Sequence, residues 1–128
     1  MTDNDQLAHL RHELLNPINQ ILGLTEIQME EAVDHGFLDC VPALTEINTG
    51  GRALHAIIQD EFAPAFRSSS LDHFAARIES QAEPTIGQAK ELAHRLRSAG
   101  QNSAAEDMDL VSAALESLLA LCRQTKPT

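Results

Sequence analysis

Apolar residues recur along this chain at steps of three and four. In the first stretch they fall at Leu7, Leu10, Leu14, Ile18, Ile21 and Leu22, then less regularly at Ile27 and Met29. That spacing predicts an amphipathic helix with one buried stripe. Thr2 or Asp3 can cap its start, and His35-Gly36 supplies a stop after about Asp34. Pro17 lies near its middle and removes one backbone bond, so a kink or a loosened turn is expected just after His12. A second helix is predicted to begin between Phe37 and Pro42, since proline is tolerated in a first turn. Its stripe is Val41, Leu44, Ile47, Leu54, Ile57, Ile58 and Phe62. Gly50-Gly51 falls inside it, at about 1 kcal/mol per glycine relative to alanine. The pair marks a close helix approach, a bend, or a tolerated weak spot.

Pro64 and Ser68-Ser69-Ser70 break the pattern. A third helix follows, with Leu71, Phe74, Ile78, Ile86, Ala89, Leu92 and Leu96 on one face, interrupted by Pro84 and ended by Ser98-Ala99-Gly100. Ser103 with Glu106 predicts a capping box for a fourth helix, whose stripe is Met108, Val111, Leu115, Leu118 and Leu121. The tail from Gln124, with Pro127, is expected to fray. No period-two alternation persists and no hairpin dipeptide occurs, so no strand is predicted. Four helices with short connections predict an all-α, antiparallel four-helix bundle.

The two halves, residues 1–66 and 67–128, resemble each other in outline, each as one helical hairpin. A shift of 67 lays Pro17 on Pro84 and Leu7 on Phe74, though Leu10 then meets Arg77 and Leu14 meets Gln81. A shift of 64 lays Leu44 on Met108, Ile47 on Val111, Leu54 on Leu118 and Ile57 on Leu121. On the first shift His12 becomes Glu79 and Asn16 becomes Glu83. A tandem pair of hairpins forming a pseudo-dimer is one architecture this allows. A homodimer through the first hairpin is the other.

Charge changes the picture of the partners. Nineteen acidic residues against 9 basic give a net charge of −10, a field that repels nucleic acid and anionic membrane. Neither is expected as a partner. With four Phe and no Trp or Tyr, the core must come from aliphatic residues, which suits packed helices. Cys40 and Cys122 lack metal spacing and read as two reduced thiols. No run approaches the roughly 20 apolar residues of a membrane span. The polar start, Met1-Thr-Asp-Asn-Asp, is unlike a signal peptide, so a cytoplasmic location is expected.

One stretch carries chemistry. Leu10 to Gly23 reads Leu-Arg-His-Glu-Leu-Leu-Asn-Pro-Ile-Asn-Gln-Ile-Leu-Gly. Neutral imidazole is a good nucleophile near neutral pH, because an ordinary imidazole titrates at about 6.5. A neighbouring carboxylate can accept the ring proton or fix the tautomer. His12 is two residues from both Leu10 and Leu14, so it should point away from their stripe, with Asn16 one turn on along the same face. His9 precedes Glu13 by four residues and can pair with it, although a solvated surface histidine is the simpler expectation. His9, His12 and Glu13 lack the i, i+4 histidine pair of a zinc-protease helix, so no metal is assigned to this chain.

From His12 to Gly23 the sequence closely resembles the H-box of histidine kinases: His, acid, Leu, any residue, Thr or Asn, Pro, Leu or Ile, then an apolar stretch with Gly. The second helix is more loosely similar to the second helix of that family's dimerisation and histidine-phosphotransfer domain (DHp, HisKA-type), through Gly51, Leu54, Ile57, Ile58 and Asp60. The resemblance implies that His12 is the phosphoacceptor, Glu13 its neighbouring acid and base, and Asn16 the residue that positions a water for hydrolysis of a partner's aspartyl phosphate. Pro17 would supply the helix bend. It also implies a response-regulator receiver as partner, with Mg2+ at the receiver and no cofactor on this chain.

The sequence departs from a kinase in having no Gly-rich nucleotide motif, no mixed sheet and few residues after the second helix. It is not expected to phosphorylate His12 from ATP unaided. A phosphorelay module, fed by a receiver or a separate kinase domain, is the leading expectation. A non-catalytic docking or regulatory domain is the alternative, and a receiver phosphatase using Glu13 and Asn16 lies between them.

Overall fold

Two glycines turn the chain. Gly36 and Gly100 are the two residues with positive φ among those described, at 78° and 80°. Each closes a helix in the same way. Phe37 N–H donates to Ala32 C=O at 2.8 Å and Gly36 N–H to Val33 C=O at 3.4 Å. Gln101 N–H donates to Leu96 C=O at 2.8 Å and Gly100 N–H to Arg97 C=O at 3.0 Å. These are Schellman caps, in which a left-handed residue lets the last carbonyls find donors.

The computed structural model describes residues 3–62 and 71–124, with side chains over 8–60 and 73–123. Its helices are α1 (Asp3–His35), α2 (Val41–Phe62), α3 (Leu71–Ser98) and α4 (Asn102–Gln124), with a 3-10 turn at Leu38–Cys40 before α2. No strand occurs among the described residues. The helices pack in a ring, α1 on α2, α2 on α3, α3 on α4 and α4 on α1. Side-chain contacts set their directions. Asn48 Nδ2 donates to Thr25 Oγ1 at 2.9 Å, Gln28 Nε2 to Asp107 Oδ2, and Gln88 Nε2 to Glu46 Oε2 at 3.4 Å. Late residues of one helix meet early residues of the next, which makes an antiparallel up-down bundle. Among the described residues no helix is long and apolar enough to cross a membrane.

The predicted stripes form the core. Leu14, Ile18, Ile21, Leu44, Ile47, Leu54, Ile58, Ile78, Leu92, Met108, Leu115 and Leu118 are all buried. Each such side chain contributes about 1.5–3 kcal/mol of apolar burial. The glycine pair in α2 serves two approaches. A Cβ on Gly51 would lie 3.1 Å from Leu22 Cδ2 in α1, and a Cβ on Gly50 would lie 2.5 Å from Thr85 Oγ1 in α3.

The two halves share one pattern of buried positions, at a single offset. A shift of 64 carries every buried position of α1 and α2 onto a buried position of α3 or α4. It carries Gly36 onto Gly100 and Asn48 onto Ser112, both of the latter pair buried and polar. It also carries the Glu26–Arg52 pair, 3.8 Å apart, onto Lys90–Glu116, 3.1 Å apart, with the charges exchanged. The shift of 67 suggested by the prolines fails, since it sends buried Leu14 and Ile21 to half-buried Gln81 and Gln88. Pro17 and Pro84 are therefore three residues out of step. The counterpart of His12 is Ala76, not Glu79, and that of Asn16 is Ser80, not Glu83.

Two local expectations change. Pro84 does not interrupt α3, nor Pro17 α1; each helix runs on, and each proline deprives only the carbonyl four residues back of its amide donor. Buried residues on both sides, Leu14 and Ile18 in α1 and Ala82 and Ala89 in α3, hold the segments in one helix. The capping box also does not form. α4 begins at Asn102, so Ser103 is already inside the first turn, and Ala105 N–H donates to Gln101 C=O at 3.0 Å. The expected breaks at Pro64 and Ser68 to Ser70, the boundary between residues 66 and 67, the Thr2 cap and the tail from residue 125 lie outside the described residues.

Candidate functional site

The stretch from His12 to Gly23 ends about three turns before the far end of α1 and is anchored from behind. Leu14 and Ile18 are buried, and Leu10, Leu15 and Leu22 pack partly against the same core. A helix pinned on one face presents the opposite face in a fixed orientation. His12 and Asn16 lie on that opposite face, both exposed and one turn apart. Among the described residues neither has a hydrogen-bond or ion-pair partner. An imidazole there meets an incoming group without first breaking a contact.

Glu13 is placed differently. Consecutive helical residues point about 100° apart, so the acid next to His12 in sequence does not share its direction. Its Oε1 lies 2.5 Å from His9 Nε2, across one helical turn. The two side chains are 40% and 71% exposed respectively, so the pair is a surface contact that exchanges readily with water. The simpler expectation for His9, a plain solvated histidine, misses this contact; the i, i+4 spacing was its signal. Pro17, half-buried, frees the carbonyl of Glu13 from its helical bond.

No family model, characterised protein or solved structure matches this chain.

The remaining histidines have other settings. His35 lines an opening of about 400 Å³ between the two hairpin turns, with Phe37, Cys40 and Arg95, at the end of the bundle away from His12. His73 lines a groove of about 420 Å³ between α2 and α3. His55 is half-buried on α2 and His94 exposed on α3. Among the described residues no group of three or more His, Cys, Asp or Glu could hold a metal ion. Cys40 and Cys122 are not joined in a disulfide.

What His12 can do follows from access and chemistry. It is an unencumbered nitrogen nucleophile on a rigid helix, with an amide one turn away and a carboxylate that can reach it only by leaving His9. Electrostatics elsewhere are structural. Arg97 pairs with Asp109 at the α3–α4 seam, and that hydrogen bond raises the guanidinium pKa above its ordinary value.

Proposed function

We propose that this chain is a two-component phosphorelay module that exchanges a phosphoryl group between His12 and the aspartate of a response-regulator receiver. The observation that carries the reading is the outward pairing of His12 with Asn16 within an H-box sequence, on a helix whose other face is locked by Leu14 and Ile18. In the forward step the lone-pair nitrogen of His12 attacks the phosphorus of the receiver's aspartyl phosphate. An N–P bond forms, the acyl O–P bond breaks, and the aspartate leaves as carboxylate. The other ring nitrogen gives up its proton, for which Glu13 is the nearest acceptor in sequence. Mg2+ held by the receiver would neutralise the phosphoryl oxygens. Because one chain supplies all four helices, it acts as a monomeric pseudo-dimer in the cytoplasm, and sedimentation should give the mass of one chain.

Mixing the protein with a phosphorylated receiver should produce an acid-labile label on this chain. The label should vanish in His12→Ala, whose helix is unharmed because alanine is the best helix former. A label that persists in His12→Ala refutes the assignment. A second reading, a non-catalytic docking domain, draws support from the engagement of Glu13 with His9 rather than with His12. In that case receiver binding survives His12→Ala and no phosphohistidine forms.

A further inference from the structure

The two hairpin turns close the end of the bundle away from His12, where residues 24–48 and 88–112 are all described. Between them lies the opening of about 400 Å³. Positions related by the offset of 64 line it in pairs, Glu31 with Arg95, Ala32 with Leu96 and Phe37 with Gln101. The opening therefore straddles the two halves, and each turn serves as a control for the other. Val33, Phe37 and Leu38, all at the first turn, are three of the five large apolar side chains left exposed among the described residues. The second turn carries Arg97, Gln101 and Asn102 at those places. Both turns end their helices with the same cap, at a glycine of nearly the same φ. The fold accepts polar residues at these positions, so folding does not account for the apolar set. Single apolar residues on a surface are ordinary. Three within six residues, beside an opening floored by buried Ala32, Leu44 and Leu96, form a patch of the kind that marks an interaction site.

Charge differs between the turns in the same sense. Glu30, Glu31, Asp34 and Asp39 are exposed around the apolar set, and among the described residues none of them is in an ion pair. Their counterparts are His94, Arg95, Ser98 and Ser103, so the second turn has none of the four carboxylates. The first turn is thus both the apolar one and the acidic one. Unburied apolar side chains set among unpaired carboxylates complement the converse pattern, an apolar stripe flanked by cations. An amphipathic helix presents that pattern on one side.

We propose that the first hairpin turn docks a basic amphipathic helix of a partner protein. An aliphatic side chain of that helix enters the opening beside Phe37, and its lysines or arginines lie along Glu31 and Asp39. Arg95, contributed by the other half, fixes the direction, because the cationic flank must keep to the α1 side of the opening. The site stands at the opposite end of the bundle from His12 and needs no role for that residue.

The test uses the full chain and a synthetic helical peptide of about 18 residues, with leucines at steps of three and four and lysines on both flanks. A second peptide replaces every lysine with glutamate. Titration calorimetry should show the lysine peptide binding about tenfold or more tighter than the glutamate peptide, and weakening as salt is raised. The variant Val33→Arg, Phe37→Gln, Leu38→Asn, which copies the second turn onto the first, should lose about tenfold or more in affinity for the lysine peptide. The chain already carries those residues at the equivalent places, so the variant should fold, and far-ultraviolet dichroism checks that it does. Glu31→Arg with Asp39→Ser should weaken binding and flatten its salt dependence. No binding of the lysine peptide, equal binding of the two peptides, or equal binding by the parent and the turn variant overturns the proposal. Two further arms test other occupants. A parent chain that sediments as a dimer, and returns to one chain in the turn variant, has a second copy of itself on the patch. Binding to phosphatidylcholine vesicles that the turn variant loses makes the patch a lipid contact. Either result overturns the proposal, and none of these measurements bears on the assignment of His12.

Discussion

Gly50→Ala should destabilise the bundle, against the usual preference of helices for alanine. The added methyl would lie 2.5 Å from Thr85 Oγ1, 3.1 Å from its Cγ2 and 3.3 Å from its Cβ. Thr85 cannot step aside cheaply. It is 1% exposed, and its hydroxyl donates to Gln81 C=O at 2.9 Å. Rotating χ1 sacrifices that bond, about 1 kcal/mol, and still leaves a branch of the side chain beside the new methyl. Separating α2 from α3 instead incurs an overpacking penalty of about 1–3 kcal/mol. Helix propensity returns about 1 kcal/mol. The balance is a net loss of up to about 2 kcal/mol, with a fall in Tm of about 4 °C for each kcal/mol at this chain length. Urea unfolding should show a lower midpoint with an unchanged slope. Thr85→Ala, which clears the Oγ1 and Cγ2 atoms, should make the same glycine substitution nearly harmless, a coupling of about 1–2 kcal/mol. Gly23→Ala is the control, since nothing lies within 4 Å of the added methyl, and it should gain up to about 1 kcal/mol. Stability of Gly50→Ala at or above the parent would refute the close-approach argument.

Other substitutions separate the remaining claims. Gly36→Ala and Gly100→Ala each place a side chain at a φ near 80° and should each lose about 1 kcal/mol in urea unfolding; no loss at either would mean the caps do not need their left-handed residue. Asn48→Ala removes the donor to Thr25 Oγ1 and the acceptor for Arg52 Nε, so it should cost about 1 kcal/mol, and a neutral result would assign that buried network no stabilising role. Asn16→Ala should slow dephosphorylation of the receiver while leaving transfer to His12 intact, as read by phosphate release against labelled chain; equal losses in both would place Asn16 in docking instead.

The fold was legible because the core-forming residues repeat at helical spacing and few compete. Leu14, Ile18 and Ile21 could be assigned to the interior from spacing alone, and they are there. The glycine pair could be located but not interpreted, because whether Gly50 and Gly51 serve a bend or an approach depends on what other helices bring to them. The repeat was visible but misregistered. Proline is rare inside helices, so Pro17 and Pro84 made a tempting landmark. Proline on an outer or half-buried face constrains only its own turn, whereas buried positions are constrained by the whole bundle. Those buried positions give the offset of 64. The capping box was lost to a two-residue difference in where α4 starts, the kind of boundary that local sequence specifies weakly. His12 and Asn16 could be placed on one outward face from the spacing of the leucines around them. The direction of Glu13 could not, since it turns on whether a flexible carboxylate prefers His9 or solvent.

The exchanged charges of the Glu26–Arg52 and Lys90–Glu116 pairs have a consequence for how such a bundle can diversify. A homodimer built from a single hairpin carries every substitution twice, once in each half, so its two faces remain copies of one another. Fusion of two hairpins removes that constraint. One codon then alters one face only. A bridge can reverse polarity in one half while the other keeps its original sense, and an exposed pair passes through the intermediate at a cost of only a few tenths of a kcal/mol. A specialised face and an altered face can therefore coexist within one molecule, each free to drift without dragging the other along.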